Sequence, residues 1–289
     1  MERDLWSRLM RAVKRLPATR PRGAVYWDRE VLCVALWGAL HDRPVDWACR
    51  RRNWPRQAWR RRLPDQSTMS RRLRHPEIVA QLRQLVAVLY RGQEASPIML
   101  MDGKALELSE HSRDPDARVG RGVSGYAKGY KLHALIDERQ RLLAWCVRPL
   151  NEAECVVART LLRDAAPHLS AHALLLADAS YDSNRLHLRA SVLGVQMIAP
   201  RRKSGRGLSR SHRQHRSRLR SIAFTEGRGS AKRMRWFRAR RGGIERFFGT
   251  LACVGGGLSH LPAWARRIHR CEIWVGAKLA VHAARLADA

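Results

Sequence analysis

Apolar residues recur at helical spacing through the first 95 residues of the chain. A period of about 3.6 residues places positions i, i+3, i+4 and i+7 on one face of a helix. The pattern predicts a short amphipathic helix at the N-terminus, followed by helices over about 28–42, 45–52 and 67–74 and another from Pro76. Residues 1–95 are therefore expected to form a small helical N-terminal domain.

From Pro97 the apolar residues fall into the short runs that are typical of strands. Runs bounded by turn residues predict strands over 98–101, 130–136, 142–147, 173–177 and 195–199. A helical pattern follows the third run, where Asn151 is expected to cap the helix and Glu154 to complete a capping box. A second helix, capped by Asp182 or Ser183, follows the fourth run. This order predicts an α/β fold with a mixed five-stranded sheet and flanking helices.

The last part of the chain is again helical in pattern. Ile244, Phe247, Phe248 and Leu251 share one helical face. The pair Gly242-Gly243 has low helix propensity and leaves open whether this helix includes residue 241 or begins at Gly243. Residues 96–289 are expected to form the second domain, with a basic insertion at about 201–235.

Charge narrows the functional class. The chain has 56 Lys and Arg against 25 Asp and Glu, a formal net charge of +31. Such an excess attracts polyanions and favours salt-dependent binding to nucleic acid by counterion release. A GC-rich genome would explain arginine in place of lysine, but it would not explain the shortage of acids. Nucleic acid, and in the hypothesis below double-stranded DNA, is therefore the expected partner.

The composition disfavours disulfide bonds, zinc sites and membrane-spanning segments. The six cysteines form no C-x-x-C pair and mostly lie in apolar runs, which favours reduced buried thiols over disulfides or zinc ligands. The longest apolar run, 31–40, is too short to cross a bilayer. We therefore expect a cytoplasmic, nucleoid-associated protein that does not bind membranes.

Two basic segments are candidates for contact with DNA. The short helices that end in Arg71, Arg72 and Arg74 resemble a helix-turn-helix reader, although a helical cap with solvated arginines would show the same pattern. The stretch 201–235 is rich in arginine, glycine and serine and has few apolar residues. It is interpreted as a flexible basic arm along phosphates rather than a solvated loop.

Three carboxylates stand in positions suited to chemistry. Asp102 and Asp178 each follow an apolar strand, and Glu245 lies on the polar side of the last helical stripe. If the two strands are neighbours, both aspartates emerge at one end of the sheet, where ligands usually bind. Carboxylates without a nearby His/Cys cluster suit two Mg²⁺ or Mn²⁺ ions, which support phosphoryl transfer. Alone, each acid is more often a turn or cap residue.

The order of these motifs resembles the DDE transposases of bacterial insertion sequences, which have a ribonuclease H-like catalytic core. The resemblance covers about residues 98–284 and is based on the segments 101–106, 111–116, 129–134, 177–183, 199–202 and 244–249. It implies that Asp102, Asp178 and Glu245 form a metal-binding catalytic triad. It also implies that Arg241, one helical turn before the glutamate, contacts DNA. Arg238 and Ala252 replace a tyrosine and a lysine that are frequent in related enzymes.

These observations lead to the hypothesis of a transposase that binds the ends of its element, cuts them and joins the 3′-hydroxyls to target DNA. Pairing of two ends implies a homodimer on DNA. The alternatives are a metal-dependent nuclease of the same fold without strand transfer, and a non-catalytic DNA-binding protein derived from a transposase. In both the transposase and the nuclease, the residues expected to hold phosphates are Lys104, Lys128, Lys131, Arg201, Arg202 and Arg241.

Overall fold

A computed structural model describes residues 2–59, 61–90, 96–170, 172–202, 214–253, 257–258 and 260–286. The chain divides into two compact units. One comprises Met1–Gly92, Glu107–Ala117 and Thr250–Ala289, and the other Gln93–Leu106 and Arg118–Gly249. The expected division into domains 1–95 and 96–289 stays a prediction.

The helices confirm most of the sequence pattern. In chain order they are α1 (Glu2–Lys14), α2 (Asp28–Leu40), α3 (Val45–Ala48), α4 (Gln66–Arg72), α5 (Pro76–Leu89), α6 (Glu154–Ala165), α7 (Asn184–Val192), α8 (Arg216–Glu226), α9 (Ser230–Cys253) and α10 (Ile268–Leu286). Short 3-10 turns occupy Arg51–Asn53, Ala166–His168 and Ala179–Tyr181. Among the described residues, no helix combines the length and apolar character needed to cross a membrane.

Helix α2 forms the centre of the first unit. Its residues are buried on every side, since α1, α3, α5 and α10 all pack against it. A cluster of tryptophan rings extends this core, with Trp37 stacked on Trp54 at 4.6 Å and Trp6 at 4.9 Å from Trp37. Trp54 and Trp59, which the sequence places among arginines, are therefore core residues.

A buried ion pair joins α2 to α4 in the same unit. The Arg72 guanidinium pairs with the Asp28 carboxylate, and both side chains are less than a tenth exposed. Arg72 also donates to the Tyr26 carbonyl at 2.6 Å, and Thr19 donates to Asp28 at 2.6 Å. Trp27 occupies the cap position of α2, and Asp28, the first residue of that helix, serves this pair.

The second unit is built on a mixed six-stranded sheet. The strands are β1 (Ile98–Glu107), β2 (Arg118–Arg121), β3 (Tyr126–Asp137), β4 (Leu142–Pro149), β5 (Leu174–Leu176) and β6 (Gln196–Ile198). They follow the order β2-β3-β1-β5-β6, and β4 also pairs with β3. Strands β1, β5 and β6 are parallel neighbours, whereas β3 is antiparallel to β4 and to β2.

The expected fold class, a mixed α/β sheet with flanking helices, is confirmed. The five predicted strands are present, and the short β2 is a sixth strand that the apolar pattern did not indicate because only Gly120 of its residues is buried. The core lies between the sheet and helices α6 and α7, with Met99, Leu175, Leu161 and Leu186 among its buried residues.

Several local predictions are wrong, each because tertiary contacts override local preference. Strand β1 does not end at Asp102 but continues to Glu107. Ala153, not Asn151, is the cap of α6. Where a basic arm was expected, α8 and the first turns of α9 are regular helices, and α8 packs against β6. The remainder of the expected arm, 203–213, lies outside the described residues.

Helix α9 runs without interruption through Gly242 and Gly243 and therefore includes Arg241. A Cβ atom at Gly243 would lie 2.8 Å from Leu100 Cδ1, on a leucine that is fully buried in β1. The absence of a side chain at this position thus lets α9 approach the strand that carries Asp102. The gain in close packing offsets the low helix propensity of glycine.

The two glycines provide a matched test of this packing. We expect Gly243→Ala to destabilise the protein by about 1 kcal/mol, because overpacking costs about 1–3 kcal/mol while alanine returns about 1 kcal/mol of helix propensity. Gly242→Ala should instead stabilise it by up to about 1 kcal/mol, since its added Cβ would meet nothing closer than Arg246 at 3.6 Å. Urea unfolding of both variants measures the difference, and equal effects would contradict the proposed role of Gly243.

The Asp28–Arg72 pair should be a major local contributor to stability. We expect Arg72→Met to lower the free energy of unfolding by about 3–5 kcal/mol, because it leaves the Asp28 carboxylate buried without its partner. Arg71→Met, on the exposed side of the same helix, should change it by less than about 0.5 kcal/mol. Chemical denaturation compares the two, and similar losses in both variants would count against a special role for the pair.

Candidate catalytic site

Asp102 and Asp178 come together because their strands are parallel neighbours. The register pairs Leu100 with Leu176, so each aspartate lies two residues beyond this pair in its own segment. Parallel strands direct equivalent positions to the same end of a sheet. The structure therefore bears out the geometric expectation for the two aspartates, although Asp102 lies within β1 and not at its end.

Local hydrogen bonds fix both aspartate side chains. The Gly103 amide donates to Asp102 Oδ1 at 2.8 Å. Asp178 is the cap of the 3-10 turn Ala179–Tyr181, and its Oδ1 accepts from the Ser180 amide at 2.8 Å. Asp178 is thus both a cap residue and a member of the acidic pair, two roles that the sequence alone presented as alternatives.

Arg241 links Asp102 to Glu245. Its Nη2 lies 2.7 Å from Asp102 Oδ2, and its Nη1 lies 2.8 Å from Glu245 Oε1. The two α9 residues are one helical turn apart and so share a face. The Glu245 side chain is 65% exposed, whereas that of Asp102 is only 17% exposed. The arginine therefore occupies the space between the two carboxylates.

A fourth acid, which the sequence indicated only as part of a capping box, also belongs to this region. Glu154 is the first residue of α6, and its Oε1 lies 2.7 Å from Lys131 Nζ. Its Oε2 contacts the Ser180 hydroxyl, which also contacts Asp178. The only signal in the sequence was an acid at a helix start, where capping is the more common role.

The charge environment of Asp102 reflects this crowding of acids. Burial raises the pKa of Asp102 from its ordinary value of 3.8 to about 6. The Arg241 charge and the Gly103 amide lower the pKa, while the charges of Asp178 and Glu154 raise it further. Burial is thus the main cause of the raised pKa, and the neighbouring acids add to it.

Asp182 has a different, structural role. It pairs with Arg218 of α8 through two hydrogen bonds of 2.7 and 2.6 Å and lies 3.7 Å from His187 Nε2. Burial raises its pKa, but the hydrogen bonds from Arg218, together with the nearby His187, outweigh this effect and bring the pKa to about 2. The pair ties α8 to the start of α7.

The structure places the predicted phosphate-binding residues in different settings. Arg202 donates to the carbonyls of Ser180 at 2.8 Å and Ala179 at 3.3 Å, immediately after Asp178. Arg201 pairs with Glu226, and Lys131 with Glu154. Lys104 and Lys128 are half-buried in β1 and β3. These positions border the acidic residues or their strands.

The N-terminal candidates differ from one another. Arg71 and Arg74 are exposed on and just after α4, where a contact with DNA stays a prediction. The buried pairing of Arg72 with Asp28 does not support the expected DNA contact of that residue. Sequence pattern alone gave no means of separating the three arginines, because the partner of Arg72 is 44 residues away.

The donors present suit a hard divalent cation, since carboxylate oxygens are the ligands that Mg²⁺ and Mn²⁺ prefer. Within the described part of the chain, however, no three Asp, Glu, His or Cys residues are grouped closely enough to hold a metal ion. Asp102 and Asp178 are neighbours, whereas Glu245 reaches Asp102 only through Arg241. The expected convergence of all three acids on one ion stays a prediction.

Two aspartates at one end of a mixed sheet, faced by a helix that carries arginine and glutamate, define the class that the sequence pattern indicated, a DDE transposase. A family model described as a transposase DDE domain matches residues 93–274, more than half of the chain. The chain therefore belongs to the transposase DDE domain family.

A solved structure agrees with this assignment at the level of the fold. The chain is similar to the piggyBac transposase in its synaptic complex with hairpin DNA, with a TM-score of 0.51 and 10% sequence identity. The similarity covers 99% of this chain and 71% of the other. No curated protein matches the sequence.

The burial of Asp102 predicts that removing its carboxyl changes the stability of the protein by an amount that depends on pH. Because its pKa is raised on folding, the contribution of Asp102 to stability is fully present below pH 4 and is lost as the pH rises through about 6. We therefore compare the free energy of unfolding of Asp102→Asn with that of the wild type in metal-free buffer. This difference should be more favourable to the variant at pH 8 than at pH 4, by about 1–3 kcal/mol.

Urea unfolding in EDTA at the two pH values measures this difference. Asp164→Asn is the matched control, since Asp164 pairs with Arg163 on α6. A difference between Asp102→Asn and wild type that is the same at pH 4 and pH 8 would show that burial does not perturb this carboxyl.

Proposed function

We propose that the protein is a DNA transposase that cleaves phosphodiesters at the ends of its element and joins the 3′-hydroxyls to target DNA. The observation that carries this proposal is the placement of Asp102 and Asp178 two residues beyond the paired Leu100 and Leu176. Membership of the transposase DDE domain family supports it.

Asp102, Asp178 and Glu245 would hold the divalent ions, two of them in the full site. When bound, such ions would supply the activation of a water or a 3′-hydroxyl and the stabilisation of the leaving oxygen in an in-line displacement. Asp102 and Asp178 would hold them from the strand side of the site, and Glu245 would do so from α9.

Arg241 is suited to a double role in this scheme. A guanidinium binds carboxylates and phosphates with the same two-pronged geometry. The Arg241 side chain pairs with Asp102 and Glu245 in the structure. On binding of DNA it would move to a phosphate, which frees both carboxylates for the ions.

The basic surface would bind the element ends and the target DNA. Lys104, Lys128, Lys131, Arg201 and Arg202 lie on the unit that carries the acids, whereas Arg71 and Arg74 lie on the helical unit and would read or position the ends. The piggyBac neighbour is described in complex with hairpin DNA. We propose a homodimer on DNA, since joining requires two ends.

Neutral substitutions of the three acids test the catalytic assignment. Asp102→Asn, Asp178→Asn and Glu245→Gln should each reduce cleavage and joining in Mg²⁺ by more than about 100-fold, beyond the 10–100-fold typical of residues that only support ligands. The assay uses a donor carrying the DNA that flanks the coding sequence and scores nicked, cut and joined products.

Asp164→Asn again serves as the control and should retain full activity. Cut products without joined products would identify a nuclease. Full activity of Asp102→Asn would contradict the assignment of the triad. Metal-independent binding of DNA without any cleavage would favour a non-catalytic protein.

A further inference from the structure

The short strand β2 and the first residues of β3 form a two-stranded ribbon at one edge of the sheet. Their antiparallel register pairs Val119 with Lys128 and Arg121 with Tyr126. Side chains alternate between the two faces of a strand, and directly opposed residues share a face. These four side chains therefore lie on one face of the ribbon, which we call the ribbon face.

The opposite face of the ribbon packs on the body of the unit. Gly120 lies between Val119 and Arg121 in the sequence, and a Cβ atom at this glycine would collide with the Leu150 carbonyl. The ribbon face points away from this contact. Accordingly, the Tyr126 side chain is 87% exposed and that of Val119 is 62% exposed. Arg121 is exposed as well.

The charge of the ribbon favours a polyanion as its partner. Residues 118–129 contain three cationic side chains and no acid. Charged residues on an edge strand disfavour pairing with the sheet of another protein. Two copies of the same basic face would also repel each other. A nucleic acid is attracted by these charges, and its grooves accept the apolar groups of Tyr126 and Val119.

The ribbon face lies on the same side of the sheet as Asp102. Lys131 and Gly103 lie against each other on the side that faces α6, where Lys131 pairs with Glu154. Alternation along the strands places Asp102, which precedes Gly103, on the opposite side, together with Lys128 of the ribbon face. The ion pair between Asp102 and a residue of α9 agrees with this placement.

Cationic side chains connect the site to the ribbon along this side. Lys104 follows Asp102 by two residues on β1 and so faces the same way. Lys128 is three residues along β3 from Lys131, which corresponds to about 10 Å at the rise of a strand. The side of the sheet that carries Asp102 thus also carries Lys104, Lys128 and Arg121.

We propose that the ribbon face binds the duplex DNA that extends from the catalytic site beyond the reacting phosphate. The inference rests on the proposed function and adds a DNA-binding element to it. Arg121 and Lys128 contact phosphates, and Tyr126 and Val119 lie against sugars and base edges in the major groove. That groove is about 12 Å wide and admits a two-stranded ribbon.

Binding of the full-length protein to a duplex with the DNA that flanks the coding sequence tests the proposal. Fluorescence anisotropy in EDTA measures affinity without cleavage, at several salt concentrations. Tyr126→Ala should weaken binding by about 10-fold with an unchanged salt dependence, because it removes an uncharged contact. Arg121→Gln should weaken binding and reduce the slope of log affinity against log salt by about 1, because it removes a phosphate contact.

Two variants serve as controls. Arg189→Gln makes the same change of charge at an exposed position of α7, which packs with α6 on the other side of the sheet. It should leave both affinity and salt slope unchanged. Tyr126→Phe keeps the ring and should retain the affinity. Unfolding midpoints verify that each variant is folded, which the exposure of the replaced side chains favours.

The outcomes separate this proposal from its alternatives and from the proposed function. Tyr126→Ala and Arg121→Gln that bind DNA as wild type does would overturn the ribbon face as a DNA-binding element. If Tyr126→Ala also changed the mass of the free protein in sedimentation, the ribbon face would be a contact between two copies. Cleavage that Asp102→Asn abolishes would leave the proposed function standing in both cases.

The converse result is equally distinct. Weaker binding by the ribbon variants of a protein that neither cuts nor joins DNA would retain the ribbon face as a DNA-binding element. The same result would overturn the proposed catalysis.

Discussion

The parallel pairing of β1 with β5 is the constraint on which the site depends. It sets Asp102 and Asp178 side by side, two residues beyond the last paired leucines. Like charges held this close in a partly buried position repel each other, and burial adds to the cost by raising the pKa of Asp102 to about 6. The neighbouring cationic side chains of the unit partly offset this repulsion.

Arg241 is the main side chain that does so. A helix placed against β1 through Gly243 brings its guanidinium to Asp102, and the same helix turn supplies Glu245. The site is therefore stable without metal because the arginine replaces part of the positive charge that an ion would bring. Buried groups that lower stability in this way are typical of functional sites.

Much of the fold could be predicted from local pattern. Strands β3 and β4 and helices α2, α5 and α10 have long periodic apolar runs, and the two strand-end aspartates stood out for the same reason. Boundaries set by distant partners could not be predicted. Strand β1 extends past Asp102 because β3 lies beside it, and α8 is a helix because β6 covers its small residues.

The sequence by itself determined the fold class, the basic character of the protein, its family resemblance and the acids Asp102, Asp178 and Glu245 as candidates, because these depend on periodicity, composition and order along the chain. Only the tertiary structure placed Glu154 beside Asp178, paired Arg241 with two of the acids and buried Arg72 against Asp28. Those facts depend on contacts between segments far apart in the chain, and a linear pattern carries no information on which charged side chains will meet.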